Sequence, residues 1–167
     1  DGEDSILSTG GQIVGVPDFS RSGKLGTGMT STVQGQDYAR WDPDRVRAIL
    51  CTYDENAGVT VDFFLTGVQQ GFAGDSGLFA LVLRAGRDDF YYIVQLRRGR
   101  IRLVVQQGQN NPQEKKEILA SAQWDPQSVY QITTSIGPTQ GMRIFVNGEL
   151  AASDTTPSGW STFAFPD

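Results

Sequence analysis

The chain has 167 residues, 14 basic and 19 acidic side chains, a formal net charge of −5 and no histidine. That length suits one domain with a sizeable core. The acidity argues against a nucleic-acid binder, whose phosphate contacts need clustered positive charge, and the missing histidine excludes a Ser-His-Asp triad, a Cys-His pair and a histidine metal site.

Taken in chain order, 20 glycines and 7 prolines separate short runs rich in Val, Ile, Leu, Phe, Tyr and Thr. That is the pattern of an all-β sandwich or jelly roll. Residues 1–9 read as a polar lead-in and 10–167 as a single domain. The chain opens at Asp1 without a signal-peptide apolar core, so it reads as a mature secreted chain or a domain cut from a larger one. Strands are expected over 11–19, 30–40, 46–53, 59–67, 77–84, 89–97, 100–107, 117–123, 128–136, 141–147 and 149–154. Cys51, the one cysteine, falls in the third of these and reads as a buried, inert thiol. Trp41-Asp42-Pro43 and Trp124-Asp125-Pro126 each read as a turn opened by Asp-Pro. Val61 to Leu65 and Leu78 to Leu83 are apolar on both faces and are expected mid-sheet. The latter is the longest aliphatic-aromatic run, far short of the roughly 20 residues of a membrane span, so no membrane insertion is expected. Gly71 to Gly77 reads as a flexible loop. Pro112 to Leu119, where Gln113-Glu114-Lys115-Lys116-Glu117 lacks β-formers, reads as a polar loop.

Two hairpins can be drawn residue by residue. A two-residue turn at Arg98-Gly99 pairs Arg97 with Arg100, Leu96 with Ile101, Val94 with Leu103 and Tyr92 with Val105. The last three pairs form an apolar face directed to the core. Tyr91, Ile93, Gln95, Arg102, Val104 and Gln106 form the opposite, half-wetted face. The second hairpin turns at Asn147-Gly148, a pair suited to a type I′ turn because both central residues need positive φ.

The order of these segments resembles the laminin-G-like, concanavalin A-like jelly-roll family. Gly23-Lys24-Leu25-Gly26-Thr27-Gly28-Met29 with Gln36-Asp37-Tyr38-Ala39 is similar to its early stretch. Val59-Thr60-Val61-Asp62-Phe63-Phe64-Leu65 is similar to a strand in which the family often places Trp at the Phe64 position. Gly77 to Gln106 is similar to its long central hairpin, and Val129-Tyr130-Gln131-Ile132-Thr133-Thr134 to a later strand whose usual Trp is replaced here. The most specific match is Gly141-Met142-Arg143-Ile144-Phe145-Val146-Asn147-Gly148-Glu149-Leu150-Ala151-Ala152. The likeness covers about residues 23–154 and implies a two-sheet antiparallel jelly-roll sandwich. The family usually ends with a further strand, whereas here the chain stops at Phe163-Ala164-Phe165-Pro166-Asp167. Either residues 160–165 fold back into that place, or the open edge accepts a strand from another chain.

The resemblance brings glucanases into view, which need two carboxyls about 5–5.5 Å apart. The five glutamates, Glu3, Glu55, Glu114, Glu117 and Glu149, fall in the tail, loops or turns, and no Glu-x-Asp occurs, so no enzyme is expected. The family often holds calcium at the sandwich rim; Asp88 and Asp89 are the first candidates, ahead of Asp42, Asp44 and Asp75. Arg97, Arg98, Arg100 and Arg102 form the densest charge on an acidic chain. They read either as a solubilising hairpin tip or as a grip on sulfated or carboxylated glycan. Tyr91, Trp41, Trp124 and Trp160 are candidate sugar platforms, whereas Tyr92 belongs to the core. The expectation is a secreted, extracellular or cell-surface lectin or cell-adhesion module with no required cofactor beyond possible calcium. It would bind glycan or glycoprotein through Tyr91, Gln95, Arg102, Arg98 and Arg100. The alternative is a structural subunit that associates through β contacts.

Overall fold

A computed structural model of the chain describes residues 11–19, 22–23, 26–27, 29, 38–42, 59–83, 90–107, 115–137 and 140–155. The described residues are all-β, without helix. The chain divides into two compact units, Asp1–Tyr53 and Asp54–Asp167.

In the first unit, β1 (Gly11–Val14) pairs antiparallel with β4 (Tyr38–Trp41), and β2 (Ser22–Gly23) with β3 (Gly26–Thr27). Arg40 Nε donates to Gln12 Oε1 at 3.0 Å beside their register contact. The strand expected over 11–19 stops at Val14. Gly15 turns to φ 86°, and Pro17 has no N–H to offer a ladder. Of the strand expected over 30–40, residues 30–37 lie outside the described residues and 38–40 fall in β4; the strand expected over 46–53, with Cys51, also lies outside them.

The second unit holds two four-stranded antiparallel sheets. One has the order β12 (Glu149–Asp154), β11 (Gly141–Val146), β10 (Val129–Gly137), β5 (Val59–Thr66). The other is a meander of β6 (Asp75–Leu83), β7 (Phe90–Arg97), β8 (Arg100–Gln107) and β9 (Lys115–Ser121). Alternation turns Tyr92, Val94, Leu96, Ile101, Leu103 and Val105 inward from the meander, all buried, and Tyr130, Ile132, Thr134, Ile136, Met142 and Ile144 inward from the other sheet, also buried. The two faces meet in a sandwich-like core, where Tyr92 Oη donates to Thr134 Oγ1 at 2.6 Å.

The β7–β8 register is the one the turn dictates, from Arg97↔Arg100 to Tyr92↔Val105. Arg98 and Gly99 take φ 49° and 71°, and Asn147 and Gly148 take 52° and 81°, so both turns are of the primed kind. In the second hairpin the register slips between Ile144 and Phe145, leaving Ala151 as an extra residue on β12.

Three expectations are corrected. Val61 to Leu65 and Leu78 to Leu83 belong to β5 and β6, each at the end of its sheet among the described residues. Within that run Val61, Phe63 and Leu65 share the core side of β5 with Val59, whereas Phe64 is 41% exposed. On β6 a bulge at Leu78 resets the alternation, so that Phe79 and Leu81 pair with inward Val94 and Tyr92. The loop expected over Pro112 to Leu119 overlaps the strand expected over 117–123, and the strand begins earlier, at Lys115: Lys115, Lys116 and Glu117 pair with Gln106, Val105 and Val104. Charged residues suit a strand that ends a sheet, and Ile118 and Ala120 supply its buried side. The loop expected over Gly71 to Gly77 is shorter, since β6 begins at Asp75.

Candidate ligand-binding face

The side of the meander turned away from the core carries the residues singled out in the sequence. Register places Tyr91 opposite Gln106, Ile93 opposite Val104, Gln95 opposite Arg102 and Arg97 opposite Arg100. Tyr91, Gln95 and Arg102 are partly buried and share this outward face; Arg98 and Arg100 are exposed at the hairpin tip. Asp88 and Asp89, and with them the calcium expectation, lie outside the described residues, as does Trp160. Among the described residues no group of three or more acidic or cysteine side chains is placed to hold a metal ion. Asp75 instead faces Arg97, with Oδ2 3.7 Å from Nε.

Arg102 is the most constrained of the arginines, its side chain 11% exposed. Nη1 donates to Gln95 Oε1 at 2.7 Å and Nη2 to Glu117 Oε2. Gln95 is on β7 and Glu117 on β9, so a guanidinium bonded to both lies across β8. Val104, which shares that face, is 3% exposed, as expected beneath such a strap. Lys115 Nζ adds a second cation 3.4 Å from the same Glu117 oxygen. The Arg102 hydrogen bond is the chief cause that holds the Glu117 carboxyl below its ordinary value, with Lys115 assisting and partial burial opposing. Arg102 Nε is buried and meets no acceptor among the described residues. Glu117 was missed as a member of this face because it sits where the loop expected over Pro112 to Leu119 overlaps the strand expected over 117–123 and was counted with the loop; the alternation of Ile118 and Ala120 with polar neighbours was the signal available.

The tip bearing Arg98 and Arg100 is held by its backbone from two sides. Arg98 N donates to Gly74 O at 2.9 Å, and Trp124 Nε1 donates to Gly99 O at 2.6 Å. Both anchors are themselves placed by the segments that cross between the sheets. In the 67–74 crossing Val68 is buried, and Gln70 Oε1 accepts from Trp124 N at 2.8 Å. In the 122–128 crossing the Trp124 ring meets Tyr130 edge to face, centroids 4.8 Å apart. Tyr130 Oη donates to Gln123 O at 2.9 Å and accepts from Asp125 N at 2.7 Å. Asp125 closes the expected Asp-Pro turn, accepting from Gln127 N at 3.0 Å and Ser128 Oγ at 2.8 Å. These bonds, the Gln127 N–H foremost, hold its carboxyl below the ordinary value.

Trp124 is therefore a buried anchor, 5% exposed, and not the sugar platform its composition suggested. Trp41 is 43% exposed but belongs to the other unit. Tyr92 is fully buried, as expected for a core ring.

No protein-family model, curated protein or solved structure gives a significant match to the chain.

Proposed function

We propose that the chain is a non-catalytic, extracellular-type binding and adhesion module of laminin-G-like, concanavalin A-like jelly-roll type. Its ligand is an anionic glycan, sulfated or carboxylated, free or carried on a protein. The observation that carries this reading is the pair Arg98 and Arg100, exposed on a primed turn whose backbone is bonded to Gly74 and Trp124. Positive charge fixed in place on a chain of net charge −5 is a local attractor for oxyanions, and guanidinium forks bind sulfate and carboxylate bidentately. Tyr91 and Gln95 on the adjoining face supply a ring and an amide for the neutral parts of such a chain. The non-catalytic reading is supported by the engagement of two strand carboxylates: Glu117 pairs with Arg102, and Asp62 accepts from Gln131 and Thr133. The jelly-roll reading is supported by β5 lying beside β10, with the whole β6–β9 meander between them in sequence.

The test is a glycan array with sulfated, uronic-acid and neutral arms, run with and without calcium, on the wild type and on Arg98→Ala/Arg100→Ala. Binding to the anionic arms should weaken with added salt, because exposed charge is screened within about 10 Å at 0.1 M. The double variant should lose it at least tenfold (about 1.4 kcal/mol) with an unchanged melting temperature. No anionic ligand, or full binding by the double variant, would overturn the proposal.

A further inference from the structure

The other sheet carries a second polar centre on its own outward face. The outward row of β5 is Thr60, Asp62, Phe64 and Thr66, all exposed. Register sets Asp62 beside Thr133 and Phe64 beside Gln131, with Phe145 on the far side of Thr133. Gln131 Nε2 donates to Asp62 Oδ2 at 2.9 Å, and Thr133 Oγ1 donates to Asp62 Oδ1 at 2.9 Å. Thr133 thereby spends its one hydroxyl proton on Asp62, and its oxygen presents only lone pairs outward. The Asp62 carboxylate, with two bonds accepted, retains roughly two further acceptor sites. The centre is thus rich in acceptors, with the second N–H of the Gln131 amide as a donor beside them. It adjoins an aromatic ring: Phe64 is 41% exposed and stands two residues from Asp62 on the same strand, about 7 Å away.

From this juxtaposition we infer a second binding site, for an uncharged pyranose. The apolar C–H face of the sugar lies on Phe64, and neighbouring hydroxyls donate to Asp62 and Thr133. Hydroxyls both donate and accept, which suits two carboxylate acceptor sites beside one amide N–H, and a pyranose combines them with a flat apolar face. The Asp62 carboxylate repels sulfated and carboxylated sugars, so the specificity differs from that proposed for the arginine tip and does not depend on it. A bond between β5 and β10 alone would not require an exposed ring beside the carboxylate.

The test uses the whole chain and a panel of methyl pyranosides, followed by amide NMR shifts and titration. At least one neutral pyranoside should shift the Phe64, Gln131 and Thr133 signals. Phe64→Leu, which keeps an apolar side chain but removes the flat ring, should weaken that binding at least tenfold. Asp62→Asn, which keeps a side-chain carbonyl for one of the two internal bonds, should do the same. Both variants should leave any binding of sulfated glycan intact. The inference fails if no neutral pyranoside shifts these signals, if Phe64→Leu binds like the wild type, or if tetramethylammonium produces the same shifts, which would mark a cation site.

Discussion

Tyr92 on one sheet gives its hydroxyl proton to Thr134 on the other across 2.6 Å, and neither residue is exposed to solvent. It is a polar link between the two layers in an otherwise apolar contact. A buried hydroxyl deprived of its partner costs about 1–3 kcal/mol, whereas removing both partners can be nearly neutral. Tyr92→Phe and Thr134→Val should each destabilise by that order, and the double variant by clearly less than their sum. Urea unfolding of the four proteins gives the coupling directly.

The same link has a pH signature. Burial raises the Tyr92 hydroxyl above its ordinary value of 10.0, against a smaller opposing effect of the Thr134 bond. With the folded value raised, the stabilisation is complete below the unfolded value and declines as pH rises past it. Stability should therefore fall above pH 10.0 more steeply in the wild type than in Tyr92→Phe. Equal slopes in denaturation series at rising pH would contradict this.

Gly141 and Gly148 separate two reasons for a glycine. Both have positive φ, 67° and 81°. A Cβ on Gly141 would stand 2.0 Å from Asp154 O, while one on Gly148 would meet nothing within 4 Å. Gly148→Ala should cost about 1–2 kcal/mol for backbone conformation alone. Gly141→Ala should cost more than that, because β12 must also move. Their urea midpoints should differ in that order.

Glu117 should make the outward face of the meander sensitive to acid. Its carboxyl is held low chiefly by Arg102, so its contribution is present above the unfolded value and is lost as pH falls through the depressed one. At 39% side-chain exposure, solvent screening keeps the contribution below about 1 kcal/mol. Glu117→Gln should remove that part of the acid dependence and leave neutral-pH stability within the same margin.

Trp124→Phe preserves a ring against Tyr130 and deletes the donor to Gly99 O. The expected loss is about 1 kcal/mol of stability. If the arginine tip binds through a preorganised turn, affinity for anionic glycan should also fall, since an ordering cost moves to the binding step. An unchanged affinity would separate the tip from its anchor.

Local chemistry determined what was legible in the sequence. The Arg98-Gly99 and Asn147-Gly148 pairs specify primed turns, and the alternation on either side specifies which residues face inward. Both signals act within a few residues, so the register from Tyr92↔Val105 to Arg97↔Arg100 follows without knowledge of the rest of the molecule. The same alternation put Tyr91, Gln95 and Arg102 on one outward face.

What only the tertiary structure decided depends on partners distant in the chain. Lys115 to Glu117 have no strand preference of their own; they become strand because β8 offers a ladder and Arg102 offers a counter-charge. Val61 to Leu65 and Leu78 to Leu83 look central because apolar content does not state how many neighbours a strand has. Neither the place of Trp124 nor the partners of Asp62 follow from residue type. Trp124 is buried by a bond to a turn 25 residues away, and Asp62 is tied to side chains 69 and 71 residues away. Turns and alternation are encoded by neighbours in sequence, whereas strand order, ion pairing and the composition of a surface are set by segments that meet only when the sheets close.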